Sequence, residues 1–389
     1  MTRRTWTLTD VATGTCLDRL SLGPAEIGGR AAGIAIEKRS LRGGSSAGVD
    51  VIRVVTGDLA YEVVPTRGMG VWKAWLGGEE IGWTSPVRGP VHPAFVPLSE
   101  PSGLGWLDGF DELLVRCGLE SNGAPDFDAQ GRLLYPLHGR IANRPAHHVD
   151  VTIDDVSGEV TVSGTVDEVR FHFAKLRLTS RIITRVGDPR IRIHDEVENL
   201  SATPADMQLL YHVNFGSPLL GPGARFVAPV RQVMPRDARA AEDIARWDIY
   251  GPPQPGFAEQ CYYLALQPGA DGRSRALLRN AEGTRGVGLG MDLAQLPVFT
   301  LWKNTVAARD GYVTGLEPAT NFPNPRSHEA RQGRIVALQP GDRARFDLDL
   351  EFLAGAADVA AAERAIAALQ AGIDPLVFQE PQPGWCVTG

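Results

Sequence analysis

Three side chains in this 389-residue sequence combine a type that moves protons near neutral pH with a local setting suited to it. Glu317 sits among Val313, Leu316, Pro318 and Ala319, an apolar setting of the kind that raises a carboxyl pKa. His212 lies in the apolar run Leu209, Leu210, Tyr211, His212, Val213, Asn214, where strand alternation puts Asn214 on the face of His212. His138 precedes a glycine in Tyr135, Pro136, Leu137, His138, Gly139, Arg140, and Arg140 has the same strand parity. A carboxylate and an imidazole make an acid–base pair. Two imidazoles and a carboxylate (His138, His212, Glu317) also make a divalent-metal donor set, so both readings stay open. Taken singly, each residue is ordinary: a strand-end Glu is most often solvated, and a lone strand His is most often core. The combination carries the argument.

Other groups support or compete. Arg116 is a charge inside the apolar strand Leu113 to Leu119, and a buried guanidinium needs partners. The run Phe299, Thr300, Leu301, Trp302, Lys303, Asn304 ends on an aromatic ring beside a cation. The glycines around Met69 and those of 286–290 open no helix and form no nucleotide fingerprint; they suit close backbone packing. His147 and His148 read as a surface doublet, and no nucleophile-elbow motif surrounds a serine.

These residues need strands to position them. The 44 Gly and 28 Pro fall between short apolar runs, a density of turn signals that implies many strands. Alternation predicts strands over 59–64, 160–166, 171–183, 190–197 and 345–352. Helix is expected over 356–372, with a helical turn within 99–114 ahead of a strand near 113–115. No repeat, low-complexity segment or long linker divides the chain, so residues 1–389 read as one β-sandwich domain, with strands and a loop over 1–50. Basic residues number 39 against 46 acidic, a formal charge of −7, which argues against a nucleic-acid partner. The four scattered cysteines read as free thiols in a reducing compartment. The N-terminus shows no secretory pattern and no stretch is long enough to span a bilayer; a cytoplasmic location is expected.

Three stretches resemble the galactose mutarotase-like superfamily, in particular its aldose 1-epimerase-like branch. They are GDLAYEVVPTRGMGVWKAWLGGEEIGWTSP (57–86), IRIHDEVENLSATPADMQLLYHVNFGSPLL (191–220) and YVTGLEPATNFPNPR (312–326). They bracket most of the chain in the family's order. The resemblance implies an all-β fold, a large antiparallel supersandwich with few short helices, and a sugar site on a concave sheet face. It implies Glu317 as catalytic base, His212 as acid, and His138 as a second active-site His that places the ring. Asn214, Arg140 and Arg116 would line the same pocket, Trp302 would stack on the sugar, and Glu259 stands where many members carry a sugar-binding Asp. The function implied is a cofactor-free epimerase of mutarotase type, working on a small-molecule sugar as a monomer or homodimer. A metal-dependent isomerase, epimerase or lyase and a non-catalytic sugar-binding protein are the alternatives. Lys303, Arg116 and Arg140 together point to an acidic or strongly polar sugar.

Overall fold

The computed structural model describes residues 3–28 and 33–387. Among these, two large sheets face one another, one of ten strands and one of fourteen, beside a two-stranded ribbon. Nearly all pairing is antiparallel; the Val230–Pro235 and Leu376–Val377 strands pair in parallel. The all-β expectation holds. Leu59–Val64 forms as the sequence predicts, and alternation is regular in Lys175–Arg185 and Arg190–Asn199. The predicted strand over 171–183 begins later, because Phe171 to Ala174 form a turn in which His172 adopts φ 67°. The C-terminal helix runs Ala356–Gln370. No helix among the described residues is long and apolar enough to cross a membrane.

The two sheets differ in a way that locates the site. In the ten-stranded sheet buried residues alternate with partly exposed ones, so one face packs on the core and the other meets solvent. The central strands of the other sheet, Leu114–Leu119, Ala205–Phe215 and Val313–Ala319, are buried on both faces. Their inner residues, among them Leu209, Tyr211, Val213 and Leu316, join the core between the sheets. Their outer residues, among them Val115, Cys117, Leu210, Val313 and Ala319, pack with Trp83, Trp106 and Phe110 from the segment that covers that face. Arg67 ties the cover down: its guanidinium pairs with buried Glu112 and donates to the carbonyls of Val91 (3.0 Å) and Gly109 (2.9 Å). Close packing here is strict, since a Cβ on Gly68 would lie 2.4 Å from the Ile141 carbonyl oxygen.

The same parity corrects two expectations about the pocket. Arg116 points inward, away from the outer face. Its Nη2 donates to Asp195 (3.0 Å) and Ser180 (2.8 Å), its Nη1 to the Met69 carbonyl (2.6 Å), and Tyr211 donates its hydroxyl proton to Asp195 (2.9 Å). It is a strut between the sheets. Lys303 also points inward, where its ammonium donates to the carbonyls of Ile249 (2.8 Å), Trp247 (3.1 Å) and Arg246 (3.3 Å). Burial lowers its pKa to about 8.

Candidate active site

His212 and Glu317 face each other across two neighbouring strands. The register pairs Leu210 with Ala319 and Val213 with Leu316, which sets His212 opposite Glu317, both on the outer face. His212 Nε2 lies 3.2 Å from Glu317 Oε1, with both side chains almost wholly buried. The other imidazole nitrogen, Nδ1, is 2.6 Å from Asn214 Oδ1. The Asn214 amide is oriented in turn, because its Nδ2 donates to the carbonyls of Glu112 (3.0 Å) and His212 (3.2 Å). Asn214 Oδ1 must therefore accept, so Nδ1 carries a proton. Nε2 of a neutral His212 is then an acceptor aimed at Glu317, and a protonated Glu317 carboxyl can donate to it. Asn214 itself is fully buried behind the ring and off the cavity wall; it positions His212 and does not reach a ligand.

A missing side chain makes this contact geometry possible. A Cβ on Gly315 would stand 2.6 Å from Glu317 Oε1 and 2.8 Å from His212 Cε1. Gly315 has no left-handed φ to explain it, so space is the reason for a glycine. Gly315→Ala is expected to push the two groups apart and lower turnover about 10²-fold, the usual scale for misplacing a reacting group by an ångström. Steady-state rates test this; a variant within twofold of wild type would show that the spacing is dispensable.

Burial sets the electrostatics. It holds the Glu317 carboxyl well above its usual pKa, with Glu259 adding to the rise and Arg236 opposing it. It holds His212 well below the usual range, helped by His138 and opposed by the bond to Asn214. His138 is brought down to about 4, mainly by burial. Its Nδ1 is 2.9 Å from the Asn122 carbonyl oxygen, so Nδ1 donates, and a neutral His138 presents an acceptor nitrogen on its other side. The turn that carries it is left-handed at both His138 (φ 57°) and Gly139 (φ 71°).

His138, His212, Glu317, Glu259 and Trp302 all line one cavity of about 530 Å³, a size usual for small-ligand sites. The imidazole centroids of His138 and His212 are 5.4 Å apart, and Trp302 lies 5.4 Å from His212. Glu259 is held at the wall by the Trp302 Nε1–H (2.8 Å) and by Arg236 (3.1 Å). Arg140 is not part of this cavity: it lines a separate cleft with Pro93, Leu98 and Arg144. The sequence reading missed Arg236, Cys261, Trp83, Trp106 and Phe110, which also line the cavity. Cys261 is placed beside Trp302 by cross-strand pairing, which only the fold reveals, and the loop aromatics carried no local signal.

Nδ1 of His138 and Nδ1 of His212 each meet a protein oxygen, and His212 Nε2 faces Glu317. Among the described residues no group of three or more His, Cys, Asp or Glu is arranged to hold an ion.

Residues 46–352 match a family model described as "Domain of unknown function (DUF4432)", while no curated protein matches the chain. A crystal structure from Klebsiella pneumoniae, of a protein named "putative aldose 1-epimerase", is 35% identical, covers 98% of this chain and 99% of its own, and superposes with a TM-score of 0.94. More distant likenesses show the fold alone. A galactose mutarotase-like protein from Clostridium acetobutylicum is 16% identical, covering 82% of this chain and 98% of its own with a TM-score of 0.58. Galactose 1-epimerase from Lactobacillus acidophilus is 13% identical, covering 83% and 99% with a TM-score of 0.55. The chain thus has the galactose mutarotase-like fold and belongs to the DUF4432 family.

Proposed function

We propose that the protein is a cofactor-free sugar epimerase of mutarotase type, opening and reclosing a reducing sugar by proton transfer at the anomeric hydroxyl and the ring oxygen. The observation that carries this reading is the buried Glu317–His212 contact, 3.2 Å between Oε1 and Nε2, which one proton can bridge. Ring opening takes a proton from O1 and delivers one to the ring oxygen, which is the exchange a singly protonated pair performs without net gain or loss. With Glu317 as carboxylate and His212 as imidazolium, Glu317 is the base and His212 the acid. The opposed pKa shifts favour the neutral form of the pair, which supports a second assignment with His212 as base and Glu317 as acid. The ¹⁵N chemical shifts of His212, free and with sugar, separate the two. Neutral His138 accepts a hydrogen bond from a sugar hydroxyl and fixes the ring, and Trp302 offers a face for stacking. The test of the function is anomer exchange followed by NMR. Acceleration above the buffer rate that requires Glu317 supports it; no acceleration for any reducing sugar removes it.

The pH dependence follows from the same shifts. The active pair holds one proton; it gains a second as His212 titrates and loses the first as Glu317 titrates. Burial moves the first step down and the second up, so the limbs of kcat/KM are expected to move apart into a broad plateau. An acid limb centred on about pH 6.5, the ordinary His value, would contradict this.

A further inference from the structure

The C-terminal segment reaches the back of one cavity wall. Leu376–Val377 adds its parallel strand beside Val230–Pro235, and beyond it a turn closed by the Pro383–Cys386 bridge carries Trp385. The Trp385 ring stacks on Phe322, with centroids 4.9 Å apart, and Phe322 stacks on Tyr263 at 4.5 Å. The backbone of the turn is fixed as well. The Trp385 carbonyl accepts from Asn324 Nδ2 (2.8 Å) and the Gly384 carbonyl from Arg334 (2.7 Å). Buried Glu329 joins those two donors, accepting from Asn324 (2.7 Å) and Arg334 (2.6 Å). None of these groups lines the cavity, but Pro323, between Phe322 and Asn324, does. Residues 322–324 press on residues 122–124. The Pro323 carbonyl accepts from the Ala124 N–H (3.0 Å), and a Cβ on Gly123 would lie 2.1 Å from the Asn324 carbonyl oxygen. Residues 122–124 hold His138 in turn. The Gly123 carbonyl accepts from the His138 N–H (2.8 Å), and the Asn122 carbonyl accepts from Nδ1 (2.9 Å). Because His138 is a non-glycine residue at φ 57°, its backbone needs surroundings that hold it there.

We propose that Trp385 is a positioning residue: stacked on Phe322, it fixes the segment 322–324, and through residues 122–124 it sets where His138 presents its Nε2 in the cavity. The inference rests on the acid–base reading only for what His138 then does, which is to hold a sugar hydroxyl. The route consists of ring stacking, close packing and hydrogen bonds, so what it controls is geometry. Glu317 and His212 are set by the pairing of their own strands. Loosening the turn therefore moves His138 against a proton pair that stays in place, and the effect falls on binding ahead of the proton transfer.

The experiment compares the full chain with Trp385→Ala and Trp385→Phe, by anomer-exchange kinetics and by NMR of ¹⁵N-histidine-labelled protein without sugar. Trp385→Ala is expected to raise KM about tenfold, the scale of one hydrogen bond put out of line, while kcat stays near wild type. The His138 Nδ1 resonance, assigned by its loss in His138→Gln, is expected to shift or broaden, and the His212 resonances to stay. Trp385→Phe keeps a ring against Phe322 and should recover both readouts. Should the alanine variant not fold, Trp385→Leu, which fills the space but cannot stack, is read in the same way. An unmoved His138 resonance overturns the proposal, as does a fall in kcat at unchanged KM, or a phenylalanine variant no better than the alanine one. If the resonance moves as expected but the wild type accelerates anomer exchange of no reducing sugar, the positioning stands and the acid–base reading falls. If the wild type exchanges anomers and the resonance does not move, the reverse holds.

Discussion

Replacing Glu317 by glutamine is expected to lower anomer exchange by about 10²–10⁴-fold, the usual weight of a positioned acid or base, while folding and sugar binding change little. The structure explains why the change is so selective. Glu317 is buried and held toward its neutral form, so glutamine replaces an uncharged group with another of the same shape. His212 Nε2 accepts, and the glutamine amide can donate to it as a carboxylic acid would. The variant keeps the contact and loses only the transferable proton. Turnover above about a tenth of wild type would mean that the proton takes another route. A large fall in melting temperature would mean that Glu317 is structural first.

The second large effect is on stability, at Arg116. Arg116→Met leaves Asp195, Ser180 and the Met69 carbonyl without their shared donor between the sheets. Breaking a buried ion pair from one side costs about 3–5 kcal/mol, which a denaturation midpoint reads directly. Exchanging both members for apolar residues, Arg116→Met with Asp195→Leu, should recover much of the loss, since the uncompensated carboxylate is the main cost. Sugar preference in the folded fraction should not move. A change in that preference without loss of stability would return Arg116 to the site, where the sequence first suggested it.

The sequence made much of this readable, and its errors share a cause. Alternation located several of the long strands, among them Glu159–Val169, Lys175–Arg185, Arg190–Asn199 and Arg343–Leu353, because half-buried strands write their two faces as apolar and polar. It also put Asn214 on the face of His212, which the structure bears out. The same rule, applied to Trp302 and Lys303, forbids both from lining one pocket: neighbours in a strand point to opposite faces, and the lysine is the one turned inward. Val115 and Cys117 likewise lie on the outer face and leave Arg116 for the core. For Arg140 the rule had no standing, because His138 and Gly139 form a left-handed turn in which strand parity does not apply. Arg236 and the aromatics of the cover come from segments distant in the chain. Nothing local marks them, and only the folded sheet brings them to Glu317.

The doubly buried strands have a consequence for how such a protein can change over generations. His212 and Glu317 alternate along their strands with residues that hold the sheets together, as Tyr211 and Val213 flank His212 and Leu316 precedes Glu317. A one-residue insertion or deletion there would trade the outer face for the core face along the whole strand, so the proposed reaction is locked into the reading frame of the fold. The covering segment that carries Trp83, Leu104, Leu107 and Phe110 is under no such lock, since loops tolerate insertion and substitution. On the proposed reading, new sugars can be acquired by rewriting that cover while the Glu317–His212 pair beneath it is inherited intact.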